Sequence, residues 1–232
     1  MATPVTLWGR ERLPRLVAPW RDAVRGLDPR IWLVVTITLL SVASRMSVAT
    51  FIGIYFVRHL GLSVALVGAA FFAENLVRGF AMPLAGAISD RVGRKPVLLW
   101  ASAATALVLP SFYFAPGPLS VFAWAIAMGI AQAPLWPAAS ALLLDLAPPQ
   151  RRQSVLALNY TMIAAGYTIG VAPAGFVVAA GYGWLSLVGL SGFLLIFLLV
   201  LVALRPPPIA QPAGRSATST RRKMRRKPES PT

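Results

Sequence analysis

Gly86-Ala87-Ile88-Ser89-Asp90-Arg91-Val92-Gly93-Arg94-Lys95 closes one long apolar stretch and opens the next. Charge at this density is excluded from hydrocarbon, so a short basic turn between two apolar helices marks the cytoplasmic face of a membrane and orients both neighbours. Pro96 follows, suited to the first turn of a helix, where its missing N–H has no partner to lose.

The rest of the chain agrees with a membrane setting. Hydrophobic residues make up 57% and charged residues 12%, the latter about half the share of an average soluble domain. Apolar blocks lie at about 31–56, 64–89, 96–114, 119–144, 154–180 and 184–204. At about 1.5 Å per residue, blocks of roughly 20 residues cross a hydrocarbon core of about 30 Å. The expected fold is an all-α integral membrane protein of six transmembrane helices. Arg91, Arg94, Lys95, Arg151 and Arg152 lie in its inner turns, against Arg58 outside, so both termini are expected in the cytoplasm and the chain in the plasma (inner) membrane.

Residues 1–30 carry six arginines, with Leu13, Leu16, Val17, Trp20, Val24 and Leu27 gathered on one helical face. Such a segment can lie on an anionic leaflet, although Pro14 and Pro19 oppose a continuous helix. No short apolar core with a small-residue cleavage site follows it, so a removed signal peptide is not expected. Residues 31–204 form the bundle. Residues 205–232, with Arg221-Arg222-Lys223-Met224-Arg225-Arg226-Lys227 in a Pro/Ser/Thr-rich setting, are too polar to pack and are expected to be disordered and cytoplasmic.

The net charge of +15 sits mainly in the tails and inner turns, where orientation and lipid head groups account for it without nucleic acid. The chain has no cysteine, and His59 is its one histidine, so neither a metal site nor a cofactor is expected. Nothing in it is arranged as a nucleotide-binding loop, a nucleophile with its base or a hydrolytic carboxylate pair, which argues against an enzyme.

Charge inside the blocks is costly, about 2.5–3.5 kcal/mol for Arg or Asp at a helix centre, and is usually paired and turned toward a cavity. Glu74 and Arg78 are four apart on one helix face and can pair. Counted from the inner end of their block they lie about 22 and 16 Å deep, and Arg45 lies about 20 Å deep in the first. Asn75 and Gln132 are the polar neighbours chosen as cavity residues. Asn159 and Tyr160 read equally well as packing contacts, and so do the aromatics Phe51, Tyr55, Phe71, Phe72 and Phe80. Gly166, Gly170 and Ala174 form a ridge of small residues on which another helix can pack.

Gly86-x-x-x-Asp90-Arg91-x-Gly93-Arg94-Lys95 between the second and third helices resembles the signature loop of the major facilitator superfamily. Asp145-Leu146-Ala147-Pro148-Pro149-Gln150-Arg151-Arg152 is similar to that family's loop between helices four and five. Gly166-x-x-x-Gly170-x-x-Pro173-x-Gly175 is similar to its antiporter signature in helix five, with looser spacing. The resemblance covers about 31–204, the N-terminal half of the usual twelve helices. It implies a secondary transporter of small organic solutes, a gating loop in which Asp90 acts as a latch, and helix-packing roles for Gly166, Gly170, Pro173 and Gly175. Gly86 is read as admitting a close backbone and Gly93 as permitting a turn. Helix one lines the cavity in the family, which would bring Arg45 toward Glu74. Two cations and one anion then favour an anionic substrate, or a Glu74 whose protonation is linked to transport. The family's proton-coupled exporters place an Arg in helix four three residues before a Gln, where this chain has Gly129.

A six-helix half exposes its cavity face, so a covering partner besides membrane lipids is expected: a second copy in a homodimer, with Asp90 near Ser154 of the other copy, or a separate C-terminal half. The other readings are a truncated, non-transporting remnant and a membrane scaffold with a basic tail.

Overall fold

The computed structural model describes residues 26–203, which hold six helices long and apolar enough to cross a membrane and no strand. The expected surface segment at 1–30 and the expected disorder at 205–232 lie, apart from residues 26–30, outside the described residues. The helices are α1 (Pro29–Arg58), α2 (Val64–Val92), α3 (Arg94–Val108), α4 (Pro118–Gln132), α5 (Leu135–Leu146), α6 (Arg152–Ala180) and α7 (Tyr182–Ala203). Spans three and four are each composite: α3 runs on through a 3-10 turn at Pro110–Phe114, and α4 and α5 together make span four. Every expected block is present, with ends shifted by a few residues.

Local chemistry sets these ends. Asp28 accepts from the Arg30 amide at 2.8 Å and Pro29 takes the first turn of α1. Ser63 accepts from the Leu66 amide at 3.2 Å and caps α2. These side-chain oxygens satisfy amides that the first helical turn leaves without partners. Between α2 and α3, Gly93 adopts φ +104°, a backbone region that disfavours any side chain, so one residue suffices to turn the chain. Pro110 cannot donate to a helical carbonyl, and the α-helix gives way there to the 3-10 turn. Trp124 donates its indole N–H to the Val108 carbonyl at 2.8 Å, and Ser186 its hydroxyl to the Pro110 carbonyl at 2.9 Å. The outer end is sealed by Tyr55, which contacts the rings of Phe112, Tyr113 and Tyr182 and donates to the Tyr113 carbonyl at 3.1 Å.

In the packing, α1 sits at the centre against α6 and α7, α2 lies against α4, and α3 against α7. The α1–α6 contact depends on the small-residue ridge: a Cβ at Gly166 would stand 2.9 Å from the Leu39 carbonyl oxygen, and Gly170 lies directly on Ala43. Ser47 donates to the Gly170 carbonyl at 2.8 Å across this contact. Gly166, Gly170 and Ala174 are buried, whereas Pro173 and Gly175 are exposed. Positions 166, 170 and 174 follow the helical repeat of 3.6, and 173 and 175 each lie about 100° off that line, where a Cβ at Gly175 would still stand 3.8 Å from the Phe51 ring of α1.

The α2 and α6 spans are the least buried of the six, at 17% against 33–44% for the others. Their outward faces are apolar, with Phe72, Phe80 and Leu84 on α2 and Phe176 on α6.

Candidate functional site

Three charged side chains expected at mid-depth meet there. Arg45 of α1 donates Nη2 to Glu74 Oε1 of α2 at 2.7 Å, while Arg78 Nη1 is 3.9 Å from the same oxygen. The Glu74 side chain is only 3% exposed; those of both arginines are 23% exposed. The approach of Arg45 to Glu74 that the family resemblance implied is the tight contact and crosses between helices; the expected pairing of Glu74 with Arg78 is the looser one, and Arg78 also turns to Asn75 Oδ1, one turn before it on α2. A charge-assisted bond at this distance in a dry setting is strong, and burying a carboxylate without it is costly. Asn75 also donates to the Phe71 carbonyl at 2.8 Å, so both ends of its amide are engaged.

Gly129 explains how α2 and α4 come close enough to enclose the pair. A Cβ there would stand 2.6 Å from the Glu74 carbonyl oxygen and 3.3 Å from the Arg78 amide nitrogen. No side chain fits without the helices separating, which accounts physically for the absence of the family's arginine at this place.

The pair stands between two cavities. The inner one, about 320 Å³, is lined by Arg45, Arg78, Gln132, Trp136, Asn159 and Tyr167 among others. The outer one, about 170 Å³, is lined by Arg45, Glu74, Asn75, Phe71, Trp124 and Met128 among others. Arg45 is common to both, Arg78 faces the inner and Glu74 the outer. The two guanidinium groups therefore line the inner cavity, whereas the carboxylate that pairs with them lines the outer one.

Gln132 is 6% and Asn159 3% exposed, and both line the inner cavity. Among the described residues Gln132 Nε2 and Asn159 Oδ1 have no hydrogen-bond partner. Gln132 ends α4 where the span breaks, and Pro134 and Pro137 remove amides that a continuous helix would use. Asn159, unlike Gln132, was not chosen as a cavity residue in the sequence; its signal was a lone polar side chain in an apolar helix, as was that of Tyr160. The structure separates them: Tyr160 is 60% exposed and leans on Trp136.

At the inner end of the bundle Arg94 ties three segments together. It contacts Asp90 at 3.1 Å and donates Nε to Asp145 at 2.7 Å, joining the α2–α3 turn to the end of α5. Lys95 donates to the Leu201 carbonyl of α7 at 3.1 Å. Arg91 is exposed. The expectation for Gly86 is corrected, since a Cβ there would meet nothing within 4 Å among the described residues. Beside it the buried Ser89 hydroxyl has no partner among them. No group of three or more potential metal-ligating side chains occurs among the described residues.

Sequence comparisons add three kinds of relative. The family model described as Major Facilitator Superfamily matches residues 34–229. A gallate transporter of Pseudomonas putida is 28% identical over 192 residues, 80% of this chain and 42% of that protein. A Na(+), Li(+), K(+)/H(+) antiporter of Planococcus maritimus is 30% identical over 126 residues, 52% of this chain and 29% of that protein. The uncharacterized MFS-type transporter YqjV of Bacillus subtilis (strain 168) is 29% identical over 152 residues, 65% of this chain and 36% of that protein. The matched part covers less than half of each relative.

Proposed function

The chain belongs to the Major Facilitator Superfamily, is a multi-pass membrane protein, and, we propose, forms one six-helix half of a secondary transporter for small organic anions in the plasma membrane. The observation that carries the reading is the composition of the mid-depth cluster: two guanidinium groups and one carboxylate leave one uncompensated positive charge at the inner cavity. In a medium of low dielectric that excess favours an anion strongly over a neutral or cationic solute. The relative named for gallate, a carboxylate, agrees in charge.

A second six-helix bundle is proposed to close the site, because Asn75 is exposed and Arg78 partly exposed on α2 at a depth where lipid accepts neither. In this fold, halves of equal topology face one another across a site near the midplane and rock about it. The Arg45–Glu74 pair divides the inner cavity from the outer. An anion arriving from the inner side competes with Glu74 for Arg45, and that exchange links occupancy to the barrier between the two cavities.

Uptake and efflux of radiolabelled benzoate into membrane vesicles containing the protein tests the assignment. Arg45→Ala, which removes the excess charge, should raise KM about tenfold or more, whereas Glu74→Gln, which adds to it, should lower KM and slow turnover. Equal fluxes in all three proteins would remove these residues from the site. Pairing is tested with cysteines introduced at Ala87 and Ser154: crosslinking between two copies is expected if the second bundle is another copy of this chain, and none at any density in the membrane excludes that form of the pairing.

A further inference from the structure

Glu74 and Arg78 stand four apart on α2 with the acid toward the N-terminus, the order in which a helical ion pair closes best. The pair is nevertheless open: Arg78 Nη1 is 3.9 Å from Glu74 Oε1, beyond hydrogen-bond reach. Arg45 holds the same oxygen at 2.7 Å, but a carboxylate offers about four acceptor sites, so Arg45 alone does not keep Arg78 away. The remaining contact is with Asn75. Its Nδ2 donates to the Phe71 carbonyl at 2.8 Å, and because a carbonyl only accepts, the amide nitrogen is fixed on that side and the oxygen is left to take Nη2 of Arg78. Asn75 and Glu74 line the outer cavity and not the inner, whereas Arg78 lines the inner. Asn75 thus does not meet what the inner cavity holds; it meets a side chain that does.

We infer that Asn75 is a positioning residue: it holds Arg78 off Glu74, so that the second guanidinium stays turned to the inner cavity and binds an anion there together with Arg45. The inference rests on the anion reading proposed above and gives the means by which the second charge is kept available. Without the Asn75 oxygen, Arg78 closes on Glu74, one turn away, in a setting of low dielectric where that bond is strong. Both arginines then bond the carboxylate, and an incoming anion must pull one of them away. The net charge of the cluster is the same in either arrangement, so a loss of affinity at Asn75 reports where Arg78 is placed and not how many charges are present.

Equilibrium binding of radiolabelled benzoate to the full chain in lipid nanodiscs, read beside thermal unfolding in the same discs, tests it. Asn75→Leu should weaken benzoate about tenfold, the scale of one charge-assisted hydrogen bond, while melting at or above the wild-type temperature because the Glu74–Arg78 pair closes. In a Glu74→Gln background Arg78 has no carboxylate to close on, and the loss caused by Asn75→Leu should fall below about twofold. Unchanged affinity of the single Asn75→Leu protein, an equal loss in the Glu74→Gln background, or a melting temperature below that of the wild type overturns the inference while the anion reading stands. Absence of benzoate binding by the wild-type protein overturns the anion reading and the inference with it.

Discussion

Two charge clusters hold the bundle at different depths, and their compositions are opposite. At mid-depth two arginines flank one carboxylate, Glu74, whose side chain is 3% exposed. At the inner end two carboxylates flank one arginine, and Asp90 and Asp145 have side chains 65% and 52% exposed. The bonds are alike, 2.7 Å for the shortest in each. What differs is the medium, and with it the energy of each cluster and the use to which it can be put. A pair near water contributes little, because solvent screens it and two long side chains must be ordered to make it. A pair in the membrane interior cannot be exchanged for water, so its parts are tolerated only while they satisfy one another or a ligand. The inner-end cluster therefore ties segments together at low energy, while the mid-depth cluster keeps a formal excess of one positive charge inside the bundle.

The largest effect that would separate them is expected from Glu74→Gln. It strands two cations in the bundle interior and should lower stability by about 2–3 kcal/mol, somewhat less than the 3–5 kcal/mol of a fully buried pair because Arg45 retains some exposure. Thermal unfolding in detergent reads this directly. Exchanging the charges, Arg45→Glu with Glu74→Arg, keeps one anion beside two cations and should recover most of the loss. A Glu74→Gln protein that melts with the wild type would erase the distinction between the two clusters.

A smaller effect is expected from Arg94→Ala at the inner end, about 0.2–1 kcal/mol, and it should fade as salt is raised toward 1 M, where charges are screened beyond about 3 Å. The Glu74→Gln penalty should persist at the same salt. If salt abolished both penalties equally, the mid-depth pair would be in contact with bulk water and the contrast would fail.

The legibility of the molecule follows the same division. Membrane-spanning character and span number were readable because hydropathy acts locally along the chain. Arg45, Glu74 and Arg78 were readable as a group, because intramembrane charge is rare enough to stand out without a structure. The order of their contacts was not. Spacing of four on α2 suggested Glu74 with Arg78 and the family resemblance brought Arg45 toward Glu74, and only the packing makes the second the tight contact, at 2.7 Å against 3.9 Å. Gly86 matched the family loop in place, and its reading as a close-contact site found nothing near it within the described bundle.

The sequence by itself determined that six apolar helices cross a membrane, since that depends only on what each segment is made of. Tertiary structure alone decided which side chains share a cavity. Gly129 lets α2 and α4 meet at Glu74, the Gly166–Gly170 ridge draws α6 onto α1, and from those approaches come the crossing ion pair and the two unpaired amides at Gln132 and Asn159. The physical reason is that hydropathy is additive along a chain, whereas a hydrogen bond depends on positions that only packing fixes.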